Sequence, residues 1–240
     1  MHKEMLGKTE FTFMRADSPE MLGEVFGLRY QVYCNECNFL DAKDYPDRTE
    51  KDKYDPYSLH FVAKDSYGLI GTSRLILNSP LGFPLEEHCA STLTVDKDSL
   101  PKEDVAEISR LVISKKYRRR SGDGLYYTPD YNDNPDSSPA EDLIKRIRPM
   151  AFGIYREMYQ ESKQRKIAHW YAVMERSLYV LLRMHGFVFR PIGDEVDFYG
   201  PVKPYLGNIE EMEREVYKRF PNLFKYFMDG LDAIYQPKIS

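Results

Sequence analysis

The chain is short of several things, and each shortage closes off a class of protein. Three cysteines in 240 residues, an odd number, do not make a disulfide framework, and the C-x-x-C of Cys34 and Cys37 has no second pair to complete a zinc site. Ordinary reduced thiols are the expectation. No apolar run approaches the roughly 18 residues of a membrane span, and the opening MHKEMLGKTEF lacks the apolar stretch of a secretion signal, so a cytoplasmic chain is expected. Neither sign of charge dominates: 34 cations against 38 anions leave a formal charge of -4, which gives nucleic acid no whole-chain attraction. The nucleophile elbow G-x-S-x-G is missing, and His60, His88, His169 and His185 stand at neither metal-ligand nor nucleophile spacing. No metal is expected, and there is no internal repeat.

What is present is material for a sizeable core, with 42% apolar residues and many aromatics. In SPEMLGEVFGLRYQVY, Ser18 is a helix N-cap and Pro19 the first helical residue, while Leu22, Val25, Phe26, Val32 and Tyr33 fall on one stripe. Arg29 falls on that stripe too. YSLHFVA and LIGTSRLIL read as a hairpin turning at Ser66 to Gly68, and Asn78 to Lys102 as mostly loop. AEISRLVI is a strand. Ile147, Met150, Ala151, Ile154 and Met158 recur at helical spacing, with Pro149 limiting how far upstream a straight helix begins. IAHWYAVM, ERSLYVLLRMHG and the pair FVFRPI and EVDFYGPVKPY read as strand, helix and closing strands. Trp170, Tyr171 and Val173 read as core residues.

The expected architecture is α/β, a central mixed sheet flanked by helices. One domain spans 1–206, with a polar, proline-containing insertion at 128–142. A C-terminal helical extension, 207–240, packs on the same domain; its aromatic tail reads as core or dimer packing, with peripheral membrane contact or a substrate lid as the alternative.

Charge sits where the local pattern asks for burial: Arg29 on the helix stripe, Asp52 and Asp55 in DKYD ahead of a strand, Arg74 inside TSRLIL, and Glu107 with Arg110 inside EISRL. Lone buried charges cost several kcal/mol, so such residues pair with one another or face a cleft. Glu107 and Arg110, three apart, point to opposite faces of a regular strand, and a bulge beside them would bring both to one face.

The order Arg29, DKYD, GTSRL, EISRL resembles the signature of acyl-homoserine-lactone autoinducer synthases, a branch of the GNAT acyltransferase superfamily. EISRLVISKKYRRRSGD, HWYAVMERSLYVLLRMHGFVFRPIG and YGPVKPYL resemble more closely the N-acyl amino acid synthase-like acyltransferases associated with PEP-CTERM/exosortase systems, over about Phe11 to Leu206. The resemblance implies a GNAT fold that moves a fatty acyl group from a thioester, on acyl carrier protein or coenzyme A, to the amino group of an amino acid. It places Arg29, Asp52, Asp55, Arg74, Glu107 and Arg110 at the amine-substrate site. It also implies a tunnel lining as the alternative for Trp170, Tyr171 and Val173. Tyr33 and Phe39 stand where autoinducer synthases usually have Phe and Trp, which shifts the expected acceptor from S-adenosylmethionine to an ordinary amino acid.

Aminolysis of a thioester needs a neutral amine, a polarised carbonyl and a proton acceptor, with no permanently bound cofactor. Glu107 is the candidate base, directly or through water. Arg29, Arg74 and Arg110 suit a carboxylate, and Asp52 or Asp55 would orient the ammonium. Backbone N–H groups of Leu111, Val112 and Ile113 are the candidate donors to the thioester oxygen, a role the resemblance supports. Beyond them, Lys115, Lys116, Arg118, Arg119 and Arg120 would receive acidic carrier protein or its phosphopantetheine phosphate. Arg119, Gly122 and Gly124 also match the R-x-x-G-x-G spacing of a pyrophosphate loop, and a plain solvated face is the remaining reading. Two rival functions stay open, an S-adenosylmethionine-using autoinducer synthase and a non-catalytic acyl-carrier-binding module.

Overall fold

The structure, a computed structural model, describes residues 1–6, 9–95, 99–114 and 139–239, with backbone only at Leu6, Thr9 and 139–149. The chain divides into two compact units. The first takes Met1–Asp52, Leu59–Arg74 and Arg110–Glu157, the second Lys53–Ser58, Leu75–Ser109 and Met158–Ser240.

The first unit is built on antiparallel pairing. Strands β1 (His2–Leu6) and β2 (Thr9–Arg15) pair with one another, and β2 pairs next with β3 (Ser58–Asp65). β4 (Gly68–Leu77) returns from β3 through the expected turn, with Gly68 at φ 130°, and β5 (Val105–Ile113) lies beside it. Alternation in EFTFMR buries Phe11 and Phe13 together, the period-2 signal of a half-buried strand. Helix α1 (Pro19–Tyr30) starts as its sequence predicts, Ser18 Oγ accepting the Met21 N–H at 3.2 Å. Its continuation differs from a plain helix: Gln31–Glu36 forms a π-helix, a wider winding often found at functional sites. Val25 packs with Ala16 and Val62, and Leu28 and Val32 pack with Val112.

Helix α3 (Pro139–Gln164) differs from expectation by running through Pro149 and starting at another proline. A proline inside a helix removes one backbone donor and crowds one carbonyl, which costs the helix about 3 kcal/mol without forbidding it. Gly153 on α3 lies so close to Phe13 that a Cβ would overlap the ring.

The second unit contains the parallel pairing. β5 runs parallel to β6 (His169–Met174), β6 antiparallel to β9 (Pro201–Asn208), and β9 antiparallel to both β7 (Phe189–Pro191) and the short β8 (Val196–Asp197). Helices α2 (Pro84–His88), α4 (Arg176–Met184), α5 (Ile209–Arg219) and α6 (Pro221–Met228) complete it. Because strand side chains alternate, Trp170 and Tyr171 part company. Tyr171 joins a core cluster with Tyr54, Ile76, Phe83, Leu85, Val105 and Ile192. Trp170 lines a cavity of about 30 Å³ with residues of α3, α5 and α6, and its N–H donates to Ser162 Oγ at 3.0 Å. The sheet is therefore mixed and flanked by helices, as the sequence predicts. Among the described residues no helix is long and apolar enough to cross a membrane.

Candidate active site

The first unit gathers three arginines and two carboxylates. Helical spacing explains how Arg29 enters the interior: it follows Val25 by four residues and Leu28 by one, on the face of α1 that is buried. Its Nε donates to Glu50 Oε2. The loop carrying Glu50 is tied to the same helix, the Glu50 N–H donating to the Phe26 carbonyl at 3.0 Å. Arg74, inward-facing on β4, donates from Nη1 to Asp52 Oδ1 at 2.6 Å. Arg110 then joins the two carboxylates. Its Nε and Nη2 reach Glu50 Oε1 at 3.3 and 3.1 Å, and Nη2 reaches Asp52 Oδ2 at 3.0 Å.

Burial grades this network from base to rim. The side chains of Arg29, Glu50 and Arg74 are 0%, 1% and 1% exposed, those of Arg110 and Asp52 20% and 23%. Removing one member of a sealed ion pair leaves an uncompensated charge and costs about 3–5 kcal/mol, so the base of the network is fixed. The rim is what solvent reaches.

Arg110 is held in an unusual backbone state, φ 53° within β5. A non-glycine residue there costs roughly 1–2 kcal/mol, and such outliers persist where surrounding contacts over-determine them. The left-handed residue interrupts the regular strand at Arg110. The guanidinium also lies 5.6 Å from the Tyr33 ring centroid, and Tyr33 stacks on Phe39 at 6.4 Å. Burial works against the charge of Arg110, but the Glu50 carboxylate leads the interactions that hold it protonated, and its pKa is raised overall. Burial pushes the Tyr33 phenol up while Arg110 and Arg29 pull it down; the balance is upward, so the ring stays neutral.

Asp55 and Glu107 belong to the second unit. Asp55 is half-buried and opens a short 3-10 turn, Asp55–Tyr57. Glu107 is buried opposite Tyr171 in the parallel register, and its Oε2 accepts the Leu85 N–H at 2.9 Å. Cys89 is buried in the same unit, and desolvation with the Glu107 charge raises its thiol to about 11. It stays a thiol at neutral pH.

Leu111, Val112 and Ile113 complete β5 beyond Arg110. Gly71 on β4 permits a close approach there: an added Cβ would meet the Val112 carbonyl at 3.3 Å and the Ile113 side chain at 2.7 Å. Lys115, Lys116, Arg118, Arg119, Arg120, Gly122 and Gly124 lie outside the described residues, as does most of the 128–142 insertion. The residue that sequence reading missed is Glu50. It sits in DRTEKDKYD, where charges crowd without periodicity, and only its spacing of two from Asp52 marks it.

A family model described as the acetyltransferase (GNAT) domain matches residues 28–127, the stretch that carries every member of the network. No curated protein matches this chain at the sequence level. Solved structures that share its architecture include three at 13–17% identity. One is TofI, in a ternary complex with an inhibitor and MTA, at 16% identity and TM-score 0.61, covering 94% of this chain and 99% of TofI. Another is FeeM, an N-acyl amino acid synthase from uncultured soil microbes, at 13% identity and TM-score 0.58, covering 91% and 99%. The third is BjaI, a CoA-dependent acyl-homoserine lactone synthase with SAM and isopentyl-CoA, at 17% identity and TM-score 0.56, covering 93% and 89%. The fold is that of the GNAT acyltransferases. Within this GNAT fold the charged side chains of α1, β4 and β5, with the loop ahead of β3, form one connected group in the first unit.

Proposed function

We propose that the chain is an N-acyltransferase that moves a fatty acyl group from an acyl carrier protein or coenzyme A thioester to the amino group of an amino acid. One observation carries the reading. Arg110 and Asp52 are the solvent-reaching members of an otherwise sealed network, opposite charges 3.0 Å apart. A guanidinium donates to a carboxylate and a carboxylate accepts from an ammonium, so the pair suits the zwitterion of an amino acid. The resemblance to exosortase-associated acyltransferases and the fold shared with FeeM support the same reading.

In the reaction, the amine gives up its ammonium proton and attacks the thioester carbonyl. The ammonium proton goes to solvent before the attack; then the C–N bond forms, the C–S bond breaks, and the second nitrogen proton passes to the base and on to the departing thiolate, which leaves as the thiol. Glu107, whose carboxylate is buried, is the candidate base, and the resemblance supports polarisation of the carbonyl by the backbone N–H groups of Leu111–Ile113. The cations from Lys115 to Arg120 are assigned to the donor's carrier or phosphopantetheine. Neither assignment requires a metal.

The test is mass spectrometry of lipid extracts from cells expressing the chain, since the product mass fixes both acyl chain and amine. An N-acyl amino acid supports the reading. The rival, favoured by the fold shared with BjaI, is a homoserine lactone made from S-adenosylmethionine; release of methylthioadenosine by the purified protein would establish it instead.

A further inference from the structure

Glu50 touches two arginines in different ways. Toward Arg29 it makes a sealed pair in which neither side chain meets solvent. Toward Arg110 a single oxygen, Oε1, takes both Nε and Nη2, the lateral edge of the guanidinium. Asp52 takes Nη2 as well, and the Tyr33 ring flanks the group. Among the described residues nothing bonds the remaining nitrogen, Nη1, and the side chain is partly open to solvent. An arginine held by its Nε and Nη2 cannot pivot about its last bonds, so Nη1 is left facing a set direction. Nothing else in the network does this, because Arg29 and Arg74 are sealed and Asp52 is itself at the rim.

We infer that Glu50 is a positioning residue for acceptor specificity: anchored on Arg29, it clamps the Nε/Nη2 edge of Arg110 and so aims Nη1 at the carboxylate of the incoming amino acid. The inference rests on the amino acid reading above. The clamp also explains why β5 tolerates a left-handed residue at Arg110, since relaxing that backbone would withdraw the guanidinium from both carboxylates.

Steady-state kinetics with an acyl thioester and an amino acid test it. Glu50→Asp keeps the charge beside Arg29 but retracts the carboxylate by one methylene. It is expected to raise the acceptor KM on the order of 10²-fold, the scale of a misplacement of about 1 Å, with the thioester KM unchanged. In an Arg110→Lys background the same change is expected to add little, because residues acting through one another are not additive. An unchanged acceptor KM, or effects that simply add, would overturn the clamp. Should Glu50→Asp fail to fold, hydrogen exchange at Arg110 Nε–H in the wild type decides: slow exchange supports the clamp, and exchange as fast as a free arginine refutes it. A wild type that releases no thiol with any amino acid overturns the acceptor reading itself, a result separable from a clamp that fails in an active enzyme.

Discussion

Two of the buried glutamates, one in each unit, are held by different partners. Glu50 in the first unit is taken by two guanidiniums. Glu213 in the second is taken by the Tyr159 hydroxyl at 2.6 Å and by Lys163 at 2.7 Å, whose ammonium keeps access to solvent. Burial, then the Glu213 charge, drive the Tyr159 phenol well above its usual range, so a neutral donor faces the carboxylate. Glu213 joins α3 to α5 beside the apolar cavity under Trp170, an arrangement that needs satisfaction and little else. Arginine forks are rigid and planar, so the Glu50 cluster also fixes directions. A buried carboxylate that only fastens helices can take a soft set of partners; one that shapes a polar rim is met by guanidiniums.

Glu107 is where that contrast is most exposed to failure. Like Glu213 it is buried and accepts from a neutral group, here a backbone N–H, yet the proposed chemistry makes it the base. General bases contribute roughly 10²–10⁴ in rate. Glu107→Gln, which can still accept the Leu85 N–H, is therefore expected to lower kcat by at least about 10²-fold while melting stays near wild type. Thiol-release assays beside thermal unfolding read both. Unchanged turnover would move Glu107 into the class of Glu213.

The complementary change is Glu213→Gln. It leaves Tyr159 a hydrogen-bond partner but removes the charge that Lys163 meets, and about 1–3 kcal/mol of stability is expected to go with it. Denaturant titration measures that loss. Acceptor and donor KM are expected to stay put; a raised acceptor KM would mean that this carboxylate, too, serves the site.

How much of this was legible beforehand follows from what periodicity can and cannot mark. Arg29 announced itself by falling on a helical stripe, whereas the left-handed backbone of Arg110, at φ 53°, has no mark of its own in the sequence, where the Glu107 to Arg110 spacing raises only a bulge that would bring both to one face. Glu50 did not announce itself either, because a loop has no period and one acid among Asp47, Glu50, Asp52 and Asp55 looks like another. β1 and β2 went unread for a different reason: Lys3, Glu4, Thr9 and Glu10 dilute the apolar alternation, and the strand character shows chiefly in Phe11 and Phe13. Trp170 and Tyr171 could not be assigned to one lining, since a run apolar at every position hides which face each residue takes.

The smallest effect belongs to a polar contact far simpler than either cluster. Asn208 caps α5, its Oδ1 accepting the Glu211 N–H at 2.9 Å, so its Nδ2 must be the donor that meets His169 Nε2 at 3.1 Å. The imidazole is thus neutral, with its proton on Nδ1. Burial lowers the His169 pKa, and only Asp104 pulls the other way. The unfolded chain, titrating near the ordinary 6.5, then binds this proton more readily than the folded one. Stability rises with pH wherever the unfolded state holds more protons, so the contribution is full above that value and shrinks as pH falls below it. Urea midpoints at pH 7.5 and 5.5 are expected to differ less in His169→Gln than in the wild type. Equal differences would show that the ring is not held neutral by the cap, and that α5 begins independently of β6.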